Sequence, residues 1–104
     1  MVEQKEQNNV IQGGVYRHFK GKYYEVIGVA SYHDWGKKYA NATRPIKDMV
    51  IYKALYNDAL KKIYYGDIFY RELDDFTSEV DKIKYPNVKQ KYRFELVEND
   101  FEKN

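Results

Sequence analysis

The chain has 104 residues with 18 basic and 16 acidic side chains, a formal net charge of +2, and 17% aromatic residues. A chain of this length forms one domain, and so many rings exclude wholesale disorder. The absence of Cys excludes disulfides, thiolate zinc sites and cysteine nucleophiles. No apolar run reaches about 18 residues and no basic-then-apolar start is present, so we expect no membrane contact, no signal peptide and a cytoplasmic location.

The domain limits follow from where periodicity starts and stops. Residues 1–12 are polar and aperiodic, which predicts a disordered tail, and residues 98–104 are expected to fray. The single domain is predicted over residues 13–97. Within it, residues 31–48 contain Gly, Pro, Asn and basic side chains and are predicted to be a long surface loop.

The first predicted elements are two strands joined by a tight turn. Residues 15–19 alternate as a half-buried strand does, with Tyr16 and His18 on one side and Arg17 on the other. Lys20-Gly21-Lys22 is typical of a hairpin turn. Residues 23–30 are β-branched and aromatic and predict the second strand, with Gly28 marking a bulge or a close backbone approach.

Three further strands and one helical turn complete the prediction. Residues 49–56 are apolar on both faces, which indicates a central strand, and residues 63–65 predict a short fourth strand. Asp67 is expected to cap a helical turn over residues 68–73. Residues 92–96 alternate strictly and predict the closing strand. Five short strands and one helical turn predict a mainly β fold, a small antiparallel SH3-like roll or partly open barrel.

Charged residues fall in blocks of alternating sign. Residues 35–65 carry +5, residues 66–81 carry −5 and residues 82–93 return to +5. We expect the blocks to pair with one another in the fold, the alternative being a positive and a negative face.

Several segments together resemble a bacterial and phage family, the domain of unknown function 1653 family. They are Tyr16-Arg17-His18-Phe19-Lys20-Gly21, the YEVIGVA and VIYKALY strands at residues 24–30 and 50–56, Ile68-Phe69-Tyr70-Arg71-Glu72 and Arg93-Phe94-Glu95. The resemblance covers residues 14–97, implies a compact SH3-type roll and brings no activity with it. The chain departs from the family in its enlarged loop over residues 34–48. It also has Lys62-Ile63-Tyr64-Tyr65 where family members carry a tryptophan-valine-arginine-proline segment.

Catalysis is poorly supported by the residues present. Ser31, His33 and Asp34 contain the side chains of a serine triad but lie too close in sequence to be arranged as one. The two histidines, His18 and His33, have no metal-ligand spacing, and no phosphate-loop or dinucleotide motif is present. We therefore expect no enzymatic activity, no metal and no cofactor.

Ligand binding is better supported, because strand cations alternate with aromatic residues. An Arg contacts phosphate through two donors, and a neighbouring Tyr supplies a face on which a base stacks. The alternative is structural: strand cations pair with Glu25 and Glu95, and the Tyr rings fill the core. The candidate ligand-binding residues are Tyr16, Arg17, His18, Lys20, Tyr52, Lys53 and Arg93.

The sequence thus predicts a small β-roll that binds or sequesters a phosphate-bearing nucleotide. A protein-interaction module is the alternative, in which an aromatic groove or Trp35 and Tyr39 of the long loop contact a protein partner or a second subunit of a homo-oligomer. Nonspecific RNA or DNA binding is the third option, although a net charge of +2 provides little counterion-release affinity.

Overall fold

In the computed structural model, which describes residues 10–32 and 47–97, five antiparallel strands form one open sheet and a single four-residue helix follows the fourth strand. The elements are β1 (Val15–His18), β2 (Tyr23–Ala30), β3 (Met49–Ala54), β4 (Ile68–Glu72), α1 (Leu73–Phe76) and β5 (Phe94–Leu96). The strand order across the sheet is β4-β3-β2-β1-β5. The predicted mainly β fold, with five strands and one short helical turn, is confirmed.

The strand register gives the sheet an inner and an outer face. On the inner face Tyr16 lies opposite Tyr24, and Tyr52 lies opposite both Val26 and Phe69. Tyr16, Val26 and Tyr52 are buried. Because successive strand residues point to opposite faces, their neighbours in the sequence lie on the outer face.

Two cations of the predicted site belong to that outer face. Arg17 lies opposite Tyr23 on β2 and Glu95 on β5. Lys53 lies opposite Glu25 and forms an ion pair with it at 3.6 Å. The expected cross-strand pairing of a strand cation with Glu25 therefore holds for Lys53.

A bulge in β2 separates the two halves of its pairing with β3. The register shifts between Val26 and Gly28, so Ile27 is the extra residue and its side chain is exposed. The bulge that Gly28 predicted is confirmed. It lets β2 bend without losing its pairing on either side.

The core lies between the inner face of the sheet and α1. It is largely aromatic, and the rings of Phe76 on α1 and Phe94 on β5 stack with centroids 4.1 Å apart. Burial of each large ring contributes on the order of 2 kcal/mol. The buried cluster comprises Tyr16, Val26, Val50, Tyr52, Phe76 and Phe94.

The predicted fourth strand at residues 63–65 is wrong. Ile63 forms an isolated bridge with Asp58, which closes a turn, and Tyr64 and Tyr65 are exposed. The backbone N–H groups of Tyr64 and Tyr65 donate to the side chains of Asp67 and Asn57, at 2.8 and 2.9 Å. These polar side chains satisfy the backbone locally and replace a strand partner.

The predicted helical turn at residues 68–73 is also wrong, because this segment forms β4. Ile68 and Tyr70 point outward, whereas Phe69 and Arg71 lie on the inner face opposite β3. Pairing with β3 satisfies the backbone and outweighs the helical spacing of the apolar residues. The helix begins only at Leu73.

The limits of the domain differ slightly from the predicted ones. Val10 packs against the core and the Ile11 N–H donates to the Tyr16 hydroxyl at 3.0 Å, so contacts with the sheet begin before Gly13. Most of the predicted loop, residues 33–46, and the predicted frayed end, residues 98–104, lie outside the described residues. Over residues 10–32 and 47–97, no helix is long and apolar enough to cross a membrane.

Candidate functional site

A cavity of about 360 Å³ opens beside the core, where the β1–β2 turn, the segment after β3 and the chain leading into β5 come together. Five of its lining residues are cationic and five carry aromatic or imidazole rings. The lining residues are His18, Phe19, Lys20, Lys22, Tyr24, Tyr56, Asp58, Lys61, Ile63, Arg71, Tyr85 and Arg93.

Strand alternation brings three of these side chains to the cavity. His18 ends β1 on the face of Tyr16, Tyr24 lies opposite Tyr16, and Arg71 lies opposite buried Val50. All three belong to the inner face, where they continue the core outward. The cavity is therefore the polar extension of the aromatic core.

Arg71 and Arg93 are joined by one carboxylate, Asp75. Arg71 donates from Nη1 to Asp75 at 2.7 Å and from Nε to the Tyr52 hydroxyl at 3.2 Å. Arg93 lies 3.6 Å from the other oxygen of Asp75, and its Nε donates to Ser78 at 3.2 Å. Burial lowers the pKa of Arg71, but its hydrogen bonds to Tyr52 and Asp75 outweigh this and leave the pKa raised. These contacts hold both guanidinium groups in fixed orientations.

The β1–β2 turn carries two lysines to the mouth of the cavity. Gly21 has a φ of +105°, and its N–H donates to the His18 carbonyl at 2.7 Å. Lys20 and Lys22 flank this glycine and are exposed. The Lys20 Nζ lies 5.6 Å from the centre of the Tyr85 ring, which is a cation–π contact.

A second tight turn, between Asp58 and Ile63, supplies Lys61 to the lining. Asp58 and Ile63 exchange backbone hydrogen bonds of 2.7 and 3.0 Å, and the Lys61 N–H donates to the Asp58 side chain. In the described part of the chain, no carboxylate forms an ion pair with Lys20, Lys22 or Lys61. No ion pair within the described residues therefore offsets these three lysines at the cavity.

His18 is neutral at physiological pH. Burial, followed by the positive charges of the cavity, lowers its pKa to about 4. Its Nδ1 accepts the Lys20 N–H at 3.1 Å, so the neutral ring carries its proton on Nε2. His18 can therefore offer one N–H donor to a ligand. The charges that lower its pKa come from Arg71, Arg93, Lys20 and Lys61.

Tyr24 and Tyr56 add hydroxyl groups to the lining. Their two oxygens share a hydrogen bond of 2.5 Å, and the Lys22 Nζ lies 5.2 Å from the centre of the Tyr56 ring. Burial and the bond to Tyr56 raise the pKa of Tyr24, so the Tyr24 phenol stays neutral. Both hydroxyl groups can donate and accept hydrogen bonds.

The residues predicted for ligand binding divide into three groups. His18, Lys20 and Arg93 line the cavity together. Tyr16 and Tyr52 are buried in the core. The other two, Arg17 and Lys53, lie on the outer face, where Arg17 donates to Gln90 and Lys53 pairs with Glu25. The expected convergence of Arg17 and Lys53 with Arg93 on one concavity does not occur. Arg17 and Lys53 occupy outward positions of β1 and β3, whereas Arg93 lies just before β5 and lines the cavity.

Several lining residues were not among the predicted ones, chiefly Arg71, Lys22, Lys61 and Tyr24. Arg71 lies in the acidic block at residues 66–81, where the linear charge count conceals it. Alternation within IFYRE places Arg71 on the same face as Phe69, which is the signal that would have found it. The predicted partner-binding residues Trp35 and Tyr39 lie outside the described residues.

No group of three or more potential metal-ligating side chains occurs among residues 10–32 and 47–97. The described cavity combines cations, neutral hydroxyl and imidazole donors, and aromatic rings. Such a set is chemically suited to an anion that carries a ring.

The fold and the cavity define a small open β-sheet domain with a cationic, aromatic-lined site. Comparison with known families places it more closely: residues 14–96 match the family described as "Protein of unknown function (DUF1653)", and the chain belongs to that family. The resemblance carried by the Tyr16–Gly21 segment is thereby confirmed. Neither the curated proteins nor the solved structures provide a match.

Proposed function

We propose that the protein is a non-enzymatic binding protein whose ligand is a small phosphate-bearing nucleotide. The observation that carries this proposal is the cavity itself, where five cations and five rings meet in a chain of net charge only +2. Positive charge is thus concentrated at one concave site that also offers surfaces for stacking.

Each component of a nucleotide has a counterpart in the lining. Arg71 and Arg93 suit phosphate oxygens, because a guanidinium donates two parallel hydrogen bonds to such a group. Rings such as Phe19 and Tyr85 offer surfaces to a base, and stacking contributes about 1–3 kcal/mol per base. The His18 Nε2 proton and the phenols of the cavity supply donors for ribose or base edges.

Long nucleic acid is a less favoured ligand than a nucleotide, because of how the charges on the outer face of the sheet are arranged. The outer face carries Lys53 paired with Glu25, and Arg17 lies opposite Glu95. Within the described residues, positive charge is therefore more concentrated at the cavity than on these strands, and a concave site suits a small anion better than a long phosphate backbone. A steep loss of affinity with salt for single-stranded RNA or DNA would support nucleic-acid binding over the proposed function.

Thermal unfolding in the presence of a nucleotide panel tests the proposal. Mono-, di- and triphosphates and cyclic dinucleotides are added at about 1 mM, since a ligand at 100 times its Kd stabilises by about 2.7 kcal/mol. Matched nucleosides, which lack phosphate, serve as controls and should leave the melting temperature unchanged. No shift with any nucleotide would contradict the proposal.

A protein-interaction module is the second candidate, and one surface favours it. Ile68 and Tyr70 on the outer face of β4 are 60% and 71% exposed, and Tyr64 and Tyr65 in the segment before β4 are also exposed. Exposed apolar patches often contact other proteins. Capture of a stoichiometric protein that is lost in Tyr70→Lys or Trp35→Ala would support this function, whereas retention by both variants would count against it.

The proposed function implies a cytoplasmic location, because that is where free nucleotides are held. A binding protein without chemistry acts by holding or sequestering its ligand. Depletion of a nucleotide signal in a bacterial or phage setting is the role that such a protein would have.

A further inference from the structure

The cavity has two tiers of positive charge. The inner tier consists of Arg71 and Arg93, which are half-buried and share Asp75. The outer tier consists of the exposed lysines Lys20, Lys22 and Lys61. Among the described residues, the carboxylates of this site are Asp58 in the lining and Asp75, which pairs with the arginines, so an excess of three positive charges remains.

The two guanidinium groups of the inner tier are preorganised to bind phosphate. On each arginine, Nε and one terminal nitrogen already have a protein partner. For Arg71 the partners are Tyr52 and Asp75, and for Arg93 they are Ser78 and Asp75. Within the described residues, Nη2 of Arg71 and Nη1 of Arg93 have no protein partner. Fixed guanidinium groups with unused donors bind an oxyanion at little entropic cost.

The charge excess indicates more than one phosphate. A phosphodiester carries one negative charge and a terminal phosphate about −1.5 to −2 at pH 7, so a nucleoside diphosphate carries about −3. A mononucleotide or a cyclic dinucleotide would leave part of the cavity's charge unbalanced. The outer lysines line the same cavity and would contact the further phosphates of such a chain.

The size of the cavity indicates a single base. At about 360 Å³ it lies near the lower end of the range of about 300–1,000 Å³ for small-molecule sites. A cyclic dinucleotide has two bases and two riboses and calls for a larger enclosure. One nucleoside with a phosphate chain that reaches toward the exposed lysines matches both the volume and the charge.

We propose that the ligand is a nucleoside diphosphate or triphosphate, with its phosphate chain running from the arginine pair to the lysines. This inference rests on the proposed function. The base would lie among the rings of the lining, and the two tiers of cations would contact successive phosphates.

Isothermal titration calorimetry of the full chain in magnesium-free buffer tests this inference, with ADP, ATP, AMP, cyclic di-AMP and tripolyphosphate as probes. We expect ATP and ADP to bind at least about tenfold more tightly than AMP or cyclic di-AMP, because each added phosphate meets another cation. Tripolyphosphate should bind more weakly than ATP, because it lacks the stacking base.

The variants separate the two tiers. Lys20→Gln combined with Lys61→Gln should weaken ATP binding by about tenfold and AMP binding much less, since only the outer phosphates are affected. Lys53→Gln on the outer face of the sheet is the matched control and should change neither affinity. Equal losses for ATP and AMP in the double variant would contradict the two-tier arrangement.

The outcomes of the titrations distinguish the inferred preference for a nucleoside diphosphate or triphosphate from nucleotide binding as such. Tighter binding of cyclic di-AMP or AMP than of ADP and ATP would overturn the inference and leave nucleotide binding in place. Tripolyphosphate binding as tightly as ATP would also overturn it, because the base would then contribute nothing. No heat with any of these probes would overturn the inference and the proposed function together.

Discussion

His18 occupies the place where the core and the cavity meet. Its ring contacts Phe94 and Tyr24 edge-on, with centroids 4.9 and 6.5 Å apart, and lies beside Phe19. Four cations approach it from the β1–β2 turn, the Asp58–Ile63 turn, β4 and the residue before β5. A protonated imidazole is disfavoured here by both burial and repulsion.

Stability should therefore depend on pH through His18. Its pKa is lowered from 6.5 to about 4, so between these values the unfolded chain binds a proton that the folded chain does not. The free energy of unfolding should fall as the pH is lowered through this interval. Urea denaturation at pH 7 and pH 5 measures the change.

The control compares variants of the chain's two histidines. In His18→Asn the loss of unfolding free energy between pH 7 and pH 5 should be smaller. In His33→Asn the contribution of His18 to this loss should persist. If His18→Asn leaves the pH dependence of stability unchanged, His18 is not the group that causes it.

Arg71 has a geometric role that a different cation cannot fill. It donates to Tyr52 and Asp75 while its guanidinium lies 5.5 Å from the centre of the Phe94 ring. A lysine at this position retains the charge but loses the planar, multiple contacts. Arg71→Lys should weaken nucleotide binding by about tenfold.

The matched substitution on the outer face is Arg17→Lys, because Arg17 is an exposed strand arginine remote from the cavity lining. We expect it to leave the affinity unchanged, as measured by calorimetry. Equal effects of Arg17→Lys and Arg71→Lys would mean that the ligand does not bind in the cavity.

At the scale of elements, the β1–β2 turn controls both the hairpin and the position of two lysines. Gly21 adopts a φ of +105°, in the region that L side chains rarely adopt. Gly21→Ala should lower the free energy of unfolding by about 1–2 kcal/mol. In a domain of this size about 1 kcal/mol corresponds to roughly 4–8 °C in Tm.

Gly28 in the β2 bulge supplies the control. A Cβ there would meet no atom within 4 Å, and its φ is not in the left-handed region. Gly28→Ala should change stability by less than about 0.5 kcal/mol. Comparable losses in both variants, measured by thermal unfolding, would contradict the conformational explanation.

The elements also show how far the sequence predicts this fold. The shared face of Tyr16 and His18, the glycine turn and the bulge at Gly28 follow from local alternation and glycine chemistry, and all are found. β4 was mistaken for a helical turn because its strand character comes from pairing with β3, a partner that lies distant in the sequence. Local spacing contains no information about that pairing.

The candidate site was only partly predictable for the same reason. His18, Lys20 and Arg93 were identified from their motifs, but Arg71 reaches the cavity only through the register of β4 on β3. The charge blocks pair as expected in places, since Arg93 and Lys47 meet the acidic block at Asp75 and Glu72. The lysines that remain unpaired could be identified only in three dimensions.

At the scale of the whole molecule, stability depends on a small aromatic core. Phe76 and Phe94 are each 1% exposed and stack on one another. Phe76→Ala should cost about 3–5 kcal/mol, a large fraction of the 5–15 kcal/mol typical of a domain. Chemical denaturation measures this loss.

Leu60→Ala is the corresponding change at the surface, because Leu60 is 95% exposed. It should alter the free energy of unfolding by no more than about 0.5 kcal/mol. A loss in Leu60→Ala as large as that in Phe76→Ala would indicate that the core lies elsewhere.

The most direct test of the binding account is a map of backbone amide NMR shifts during titration with ATP. Saturable shifts should occur at His18, Lys20, Lys22 and Lys61, which enclose the cavity from two turns, while outer-face Lys53 remains unchanged. Shifts centred on the outer face of the sheet, or no shifts at ATP concentrations of about 2 mM, well above the Kd typical of a specific small-molecule site, would contradict the account.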